Sequence, residues 1–161
     1  MTLYASVQDA ETRLQHALDL SFRYLGHRDR TVLEVRRHLE SKRVEPETIE
    51  AALAELARLG NLDDERFARL FAEDRRNLDG WGPERIERRL VQMGVDQELI
   101  LAVTARDPED ELDAAVAVLR RRLAAPPEDD RGRDRALGLL VRRGYDLDTA
   151  YAAVRRFETA A

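Results

Sequence analysis

The sequence predicts an all-α protein of three tandem three-helix repeats, each helix-turn-helix-like, stacked into an elongated and curved body. Three observations carry that prediction. Apolar residues recur with helical period along the chain, and no stretch alternates with period two for long enough to build a sheet. Helix start and stop residues punctuate the apolar stretches. A set of matched positions then returns at offsets of 51 and 50 residues.

The elements follow in order. Leu14, Ala17, Leu18, Phe22 and Leu25 mark a first helix over about residues 10–26. Thr31-Val32-Leu33-Glu34 has the capping-box form, in which the Thr31 hydroxyl takes an orphan amide and Glu34 reaches back to the cap. Glu45-Pro46 opens a third helix, with proline at a first-turn position that needs no N–H, and its apolar face is Ile49, Ala52, Leu53 and Leu56. Asp63 precedes a helix over 63–78, Gly82-Pro83 opens the next, and Asp96 begins the one after. Leu112, Ala115, Val116, Leu119 and Leu123 place a helix over 109–123. Ala124-Ala125-Pro126-Pro127-Glu128-Asp129-Asp130 must be a surface loop, and Asp146 starts the last helix. Gly60, Gly94 and Gly144 stand where helices stop.

Self-similarity turns this row of helices into an array. With Leu39, Leu90 and Leu140 in register, Val35, Ile86 and Ala136 stand four positions earlier. Val44, Val95 and Tyr145 stand five later, followed by Glu45, Asp96 and Asp146, each acidic at a helix start. Ile49, Ile100 and Ala150 also match, whereas Thr104 breaks the match of Leu53 with Val154. The expected repeats are 1–60 with an N-terminal tail, 61–106 and 107–161.

Composition excludes several kinds of function. The 161 residues include no cysteine, which removes disulfides, thiol nucleophiles and cysteine-ligated zinc. His16, His27 and His38 share a spacing of 11, but Gly26 and the Thr31 cap interrupt any single helix through them. Ser6, Ser21 and Ser41 lack a nucleophile elbow and a base. Asp63-Asp64-Glu65 reads as a helix start stabilised by the dipole rather than as a magnesium site. No catalytic residue, metal or cofactor is expected. The absence of a long apolar run, and of a basic then hydrophobic start, predicts a cytoplasmic protein with no membrane partner.

Twenty-seven basic residues stand against 32 acidic ones, a net charge of -5, which disfavours a uniformly basic coat for DNA. The middle helices depart from that average. Residues 30–44 carry a net +3 and residues 131–145 a net +4. Arg85, Arg88, Arg89 and Gln92 fall at i, i+3, i+4 and i+7, one stripe of a helix. Arg36, Arg37, Arg85, Arg88, Arg89, Arg142 and Arg143 are therefore the candidate partner-binding residues, a segmented cationic ridge facing an acidic groove or DNA phosphate. An ordinary solvated face, neutralised by Glu84 and Glu87, is the plainer alternative. Trp81, between Gly80 and Gly82, either fills the inter-helix turn or stacks on a partner.

Leu62-Asp63-Asp64-Glu65-Arg66-Phe67-Ala68, then Gly80-Trp81-Gly82-Pro83-Glu84-Arg85-Ile86, then Leu90, Met93, Gly94 and Val95 together resemble the RecX family of bacterial recombination regulators. Arg28, Thr31, Glu34 and Leu39 in the first repeat, and Leu140-Val141-Arg142-Arg143-Gly144-Tyr145 in the third, are similar to the same family. The resemblance spans roughly residues 12–157. Arg43 stands where the family usually has glycine, and Asn61 where it usually has an aromatic residue. The resemblance implies a non-enzymatic regulator that lies in the groove of the RecA recombinase filament, and a monomer is the expected state. It further implies inhibition of strand exchange, ATP hydrolysis and coprotease function; the cationic helices add single- or double-stranded DNA, through its phosphates, as a second candidate partner. A helix-turn-helix DNA-binding protein and a helical-repeat scaffold for another partner are the alternatives from other classes.

Overall fold

Helices begin where the capping residues stand. In a computed structural model, which describes residues 2–159, the chain forms nine helices and no strand among the described residues. They are α1 Thr2–Leu25, α2 Val32–Ser41, α3 Pro46–Arg58, α4 Asp64–Asp79, α5 Pro83–Gln92, α6 Gln97–Thr104, α7 Pro108–Arg122, α8 Asp130–Arg143 and α9 Leu147–Thr159. The Thr31 capping box is present in full, and Pro46 and Pro108 occupy first-turn positions. The Asp63 and Asp146 carboxylates accept from the backbone amides of Arg66 (3.0 Å) and Thr149 (2.8 Å). The first helix starts earlier than its apolar face requires, at Thr2.

Two compact units result. The first runs to Ala68 and takes in Met93–Asp96; the second comprises Arg69–Gln92 and continues from Gln97. In the first, α1, α2 and α3 pack on one another around Ala17, Val35, Leu39, Ile49, Leu53 and Leu56. His38 stacks flat on Tyr24 at 4.1 Å between ring centroids, and the Arg30 guanidinium lies 4.1 Å from the Tyr24 centroid. Burial, then the charges of Lys42 and Arg30, lowers the His38 pKa and favours the neutral imidazole that stacks well. In the second unit α7, α8 and α9 close on Ala115, Val116, Leu119, Leu140, Val154 and Phe157, and α5 packs on α6.

The three leucines used to set the register, Leu39, Leu90 and Leu140, are each 0% exposed. Full burial makes each worth about 2–5 kcal/mol over alanine. Thr104, the mismatch in the register, is buried as well, because its hydroxyl donates to the Ile100 carbonyl (2.8 Å) and so carries no unpaired polar atom into the core.

A junction recurs at the ends of the middle helices. In the first unit the turn after α5 docks on the start of α2: the Thr31 hydroxyl donates to the Met93 carbonyl (2.6 Å), and Gly94 rests against Leu33. In the second unit the turn after α8 docks on the start of α5: the Gly82 amide donates to the Arg143 carbonyl (2.7 Å), the Glu84 amide to the Gly144 carbonyl (3.0 Å), and Gly144 rests against Arg85. Thr31 and Gly82 occupy matching places in the register, as do Met93 and Arg143, so one docking geometry is made twice by different donors.

Each middle helix also ends alike. Gly94 and Gly144 have φ of 79° and 94°, and at the matching place Arg43 has φ of 60°. The Val44 amide donates to the Leu39 carbonyl as the Tyr145 amide does to Leu140, both at 3.1 Å, so the same left-handed turn closes α2 without its glycine. A side chain in that conformation is strained by roughly 1–2 kcal/mol, of which glycine's extra chain entropy returns part. Arg43→Gly is expected to stabilise the protein by about 0.5–1 kcal/mol. The check is the urea midpoint, which should rise at constant slope; a fall would mean that Arg43 makes a contact worth more than the strain.

Candidate binding surface

The cationic residues singled out in the sequence fall into two groups, one in each unit. Arg36 and Arg37 lie on α2. Arg36 is engaged by Glu50 of α3, one guanidinium nitrogen in a short ion pair and the other at 3.3 Å from the second carboxylate oxygen, while Arg37 is exposed. That hydrogen bond raises the Arg36 pKa and lowers that of Glu50.

In the second unit the docked turn brings Arg85, Arg142 and Arg143 together. Arg85 donates to the Arg142 carbonyl (3.1 Å) and lies over the Trp81 ring at 4.2 Å from its centroid. Phe71 meets Trp81 edge-on at 6.2 Å, and Arg75, paired with Asp79 at 2.5 Å, approaches both rings. Trp81 is half-buried in this cluster, so it fills the turn and takes a cation on its face from its own chain. Arg143 donates to the Asp79 carbonyl, and burial together with the nearby Arg122, Arg85 and Arg121 lowers its pKa.

Arg88 and Arg89 differ from these. Both are exposed on α5, Arg88 opposite buried Ile86 and Leu90 and Arg89 at the flank of that buried face. Arg89 reaches only Gln92 (3.1 Å), and among the described residues neither forms an ion pair with Glu84 or Glu87. Glu87 instead accepts from Gln97 of α6 (3.3 Å). Arg37, Arg88, Arg89 and Arg142 are therefore the members of the set with exposed side chains, whereas Arg36, Arg85 and Arg143 are partly buried and tied into the fold.

Arg66 follows the acidic Asp63-Asp64-Glu65 helix start. Its guanidinium donates to the Gly60 carbonyl (3.2 Å) instead of pairing with the adjacent acids. Asp64 turns to the Val32 amide (2.9 Å), where burial raises its pKa against the opposing effect of that hydrogen bond. No group of three or more histidines and carboxylates is placed to hold a metal ion among the described residues. No helix among them is long and apolar enough to cross a membrane.

One feature of the second unit was not legible in the sequence. A cleft of about 460 Å³ is lined by Arg76 and Asn77 of α4, Arg106 from the α6–α7 connection, Arg120 and Arg121 of α7, and the buried Tyr145. Its cations come from segments up to 45 residues apart and from outside the middle helices.

Helical units of this kind, with arginines on the surface, define a class of all-α proteins built from repeated three-helix modules. Comparison with known sequences narrows the class. Residues 17–56 match the model of the RecX first three-helix domain, and residues 63–103 that of the second. A Regulatory protein RecX of Xanthomonas campestris pv. campestris is 34% identical over 146 residues, covering 90% of this chain and 87% of that protein. A Regulatory protein RecX of Mycolicibacterium smegmatis is 35% identical over 155 residues, covering 91% and 82% respectively. The crystal structure of RecX from Lactobacillus salivarius superposes with a TM-score of 0.80 at 16% identity, over 92% of this chain and 99% of the other, a likeness of fold. The chain belongs to the RecX family of regulatory proteins.

Proposed function

We propose that this protein regulates the RecA recombinase by non-covalent binding, seated in the groove of the RecA filament on DNA. There it inhibits strand exchange, ATP hydrolysis and coprotease activity. The reading rests on membership of a family whose relatives are regulatory proteins, with identity of about one third over nearly the whole chain. Along the sequence its repeats are 1–60, 61–106 and 107–161, and its partner-binding set is Arg36, Arg37, Arg85, Arg88, Arg89, Arg142 and Arg143. Within that set the exposed Arg37, Arg88, Arg89 and Arg142 meet the partner directly, through acidic side chains or DNA phosphates. Arg36, Arg85 and Arg143 hold the helices that present them.

The test is a titration of the purified chain into preformed RecA filaments on single-stranded DNA, following ATP turnover and filament length. Turnover should fall as the chain is added, and no change at saturation refutes the reading. Charge reversal at the two exposed arginines of α5, Arg88→Glu with Arg89→Glu, should raise the concentration for half-inhibition by about tenfold or more, since like charges placed at an interface repel. Both side chains are exposed, so the far-ultraviolet dichroism should match the parent. Unchanged inhibition by that folded variant removes α5 from the contact.

A further inference from the structure

The cleft between α4 and α7 gathers four arginines into one concavity. Several arginines meet carboxylates: Arg36 meets Glu50, Arg58 meets Glu55, Arg133 meets Glu158, and Arg156 meets Glu109 and Asp113; others, Arg37, Arg88 and Arg89 among them, stand singly at the exposed surface. In a chain with 32 acids for 27 bases, unpaired arginines gathered in one place are the less expected arrangement. Yet Arg76, Arg106, Arg120 and Arg121 line one cleft, and no ion pair is made by any of them among the described residues. Arg76 spends one nitrogen on the Val103 carbonyl (2.5 Å). The carboxylate packed nearest them in charge is Glu111 of α7, whose buried Oε1 has no hydrogen-bond partner. Glu111 acts on Arg76 and Arg106 and Glu73 acts on Arg76, neither within ion-pair distance, so the four like charges are only partly offset and an entering anion would relieve their repulsion.

Shape narrows the anion. A volume of about 460 Å³ is that of a small-molecule site, and Ala114, Ala117 and Val118 give it an apolar wall beside the guanidinium forks. Guanidinium groups bind phosphate bidentately, and four of them in one cleft with no carboxylate in its lining suit a ligand of several negative charges. The forks surround a concavity rather than following a line, so a compact ligand fits better than a continuous strand. We propose that this cleft is a binding site for a free oligophosphate, the chemistry of pyrophosphate or of a nucleotide's phosphate chain. The site shares no residue with the proposed RecA contact, and neither reading depends on the other.

Calorimetric titration of the full chain with sodium pyrophosphate and with inorganic triphosphate, at low ionic strength, tests it. Arg120→Ala with Arg121→Ala is the principal variant, because both side chains are exposed and their loss leaves the core intact; Arg106→Ala is the second. The parent should show saturable binding, weakened at least about tenfold in either variant, since each removes charge-assisted hydrogen bonds. Binding should be unchanged in Arg88→Glu with Arg89→Glu. Absence of saturable binding, or equal binding by parent and both cleft variants, overturns the site. Binding of a short single-stranded oligonucleotide that the cleft variants lose, with neither oligophosphate bound, overturns the free ligand in favour of a strand.

Discussion

Gly144→Ala is expected to destabilise the protein by about 2–5 kcal/mol, the sum of a left-handed backbone penalty of roughly 1–2 and an overlap cost of roughly 1–3. Gly144 has φ of 94°, and a Cβ there would sit 2.4 Å from both the backbone nitrogen and the Cβ of Arg85. Neither of those atoms can turn aside as a side-chain end would. To make room, the turn would have to lift off the start of α5 and break the bonds from Gly82 and Glu84 to the carbonyls of Arg143 and Gly144. A control lies in the same helix. Gly138 is in the interior of α8, and an added Cβ there meets only the guanidinium end of Arg142, at 2.9 Å. Alanine at that position should be neutral or stabilising by up to about 1 kcal/mol, because it lowers the entropy cost of the helix. Urea denaturation followed through Trp81 fluorescence reads both, since Trp81 belongs to the same unit. Equal midpoints for the two variants would show that the turn does not rest on α5.

Much of this junction was hidden in the sequence for a definable reason. Register comparison needs only side-chain type, so it found the buried leucines, the acidic helix starts and the glycines that end the helices. Docking is made by backbone carbonyls, which every residue has. Only the glycines hinted at it, and they read equally well as plain helix stops. Arg43 shows the converse, since the turn forms at the matching place with no glycine to announce it. For the surface, helical spacing correctly gathered Arg85, Arg88 and Arg89 on α5. It could not tell that Arg85 is spent on Trp81 and the Arg142 carbonyl, a contact 57 residues away, while Arg88 stays exposed. The arginine cleft was illegible for the same reason: its members share no helix face, and only folding brings them together.

The matching junction in the first unit should fail in a chemically different way. Thr31 is 0% exposed, and its hydroxyl serves two roles, donating to the Met93 carbonyl (2.6 Å) and accepting from the Glu34 amide (3.3 Å). The neighbouring amides are satisfied independently, Thr31 N–H by the Glu34 carboxylate and Val32 N–H by Asp64, both at 2.9 Å. Glu34 is itself steadied by Arg28 at 2.5 Å. Thr31→Val keeps shape and volume but removes the oxygen, leaving one buried carbonyl without a donor and one helix amide without an acceptor. Loss of the cap costs about 1 kcal/mol and the stranded carbonyl about 1–3, so the expected destabilisation is about 2–4 kcal/mol. Thr31→Ser keeps both bonds and gives up one methyl group, so it should cost only about 1 kcal/mol. Hydrogen exchange provides the local readout, with the Glu34 amide losing protection in Thr31→Val and keeping it in Thr31→Ser. If valine and serine were equally tolerated, the hydroxyl would be incidental, and the Met93–Asp96 turn would be held on α2 by the packing of Gly94 on Leu33 alone.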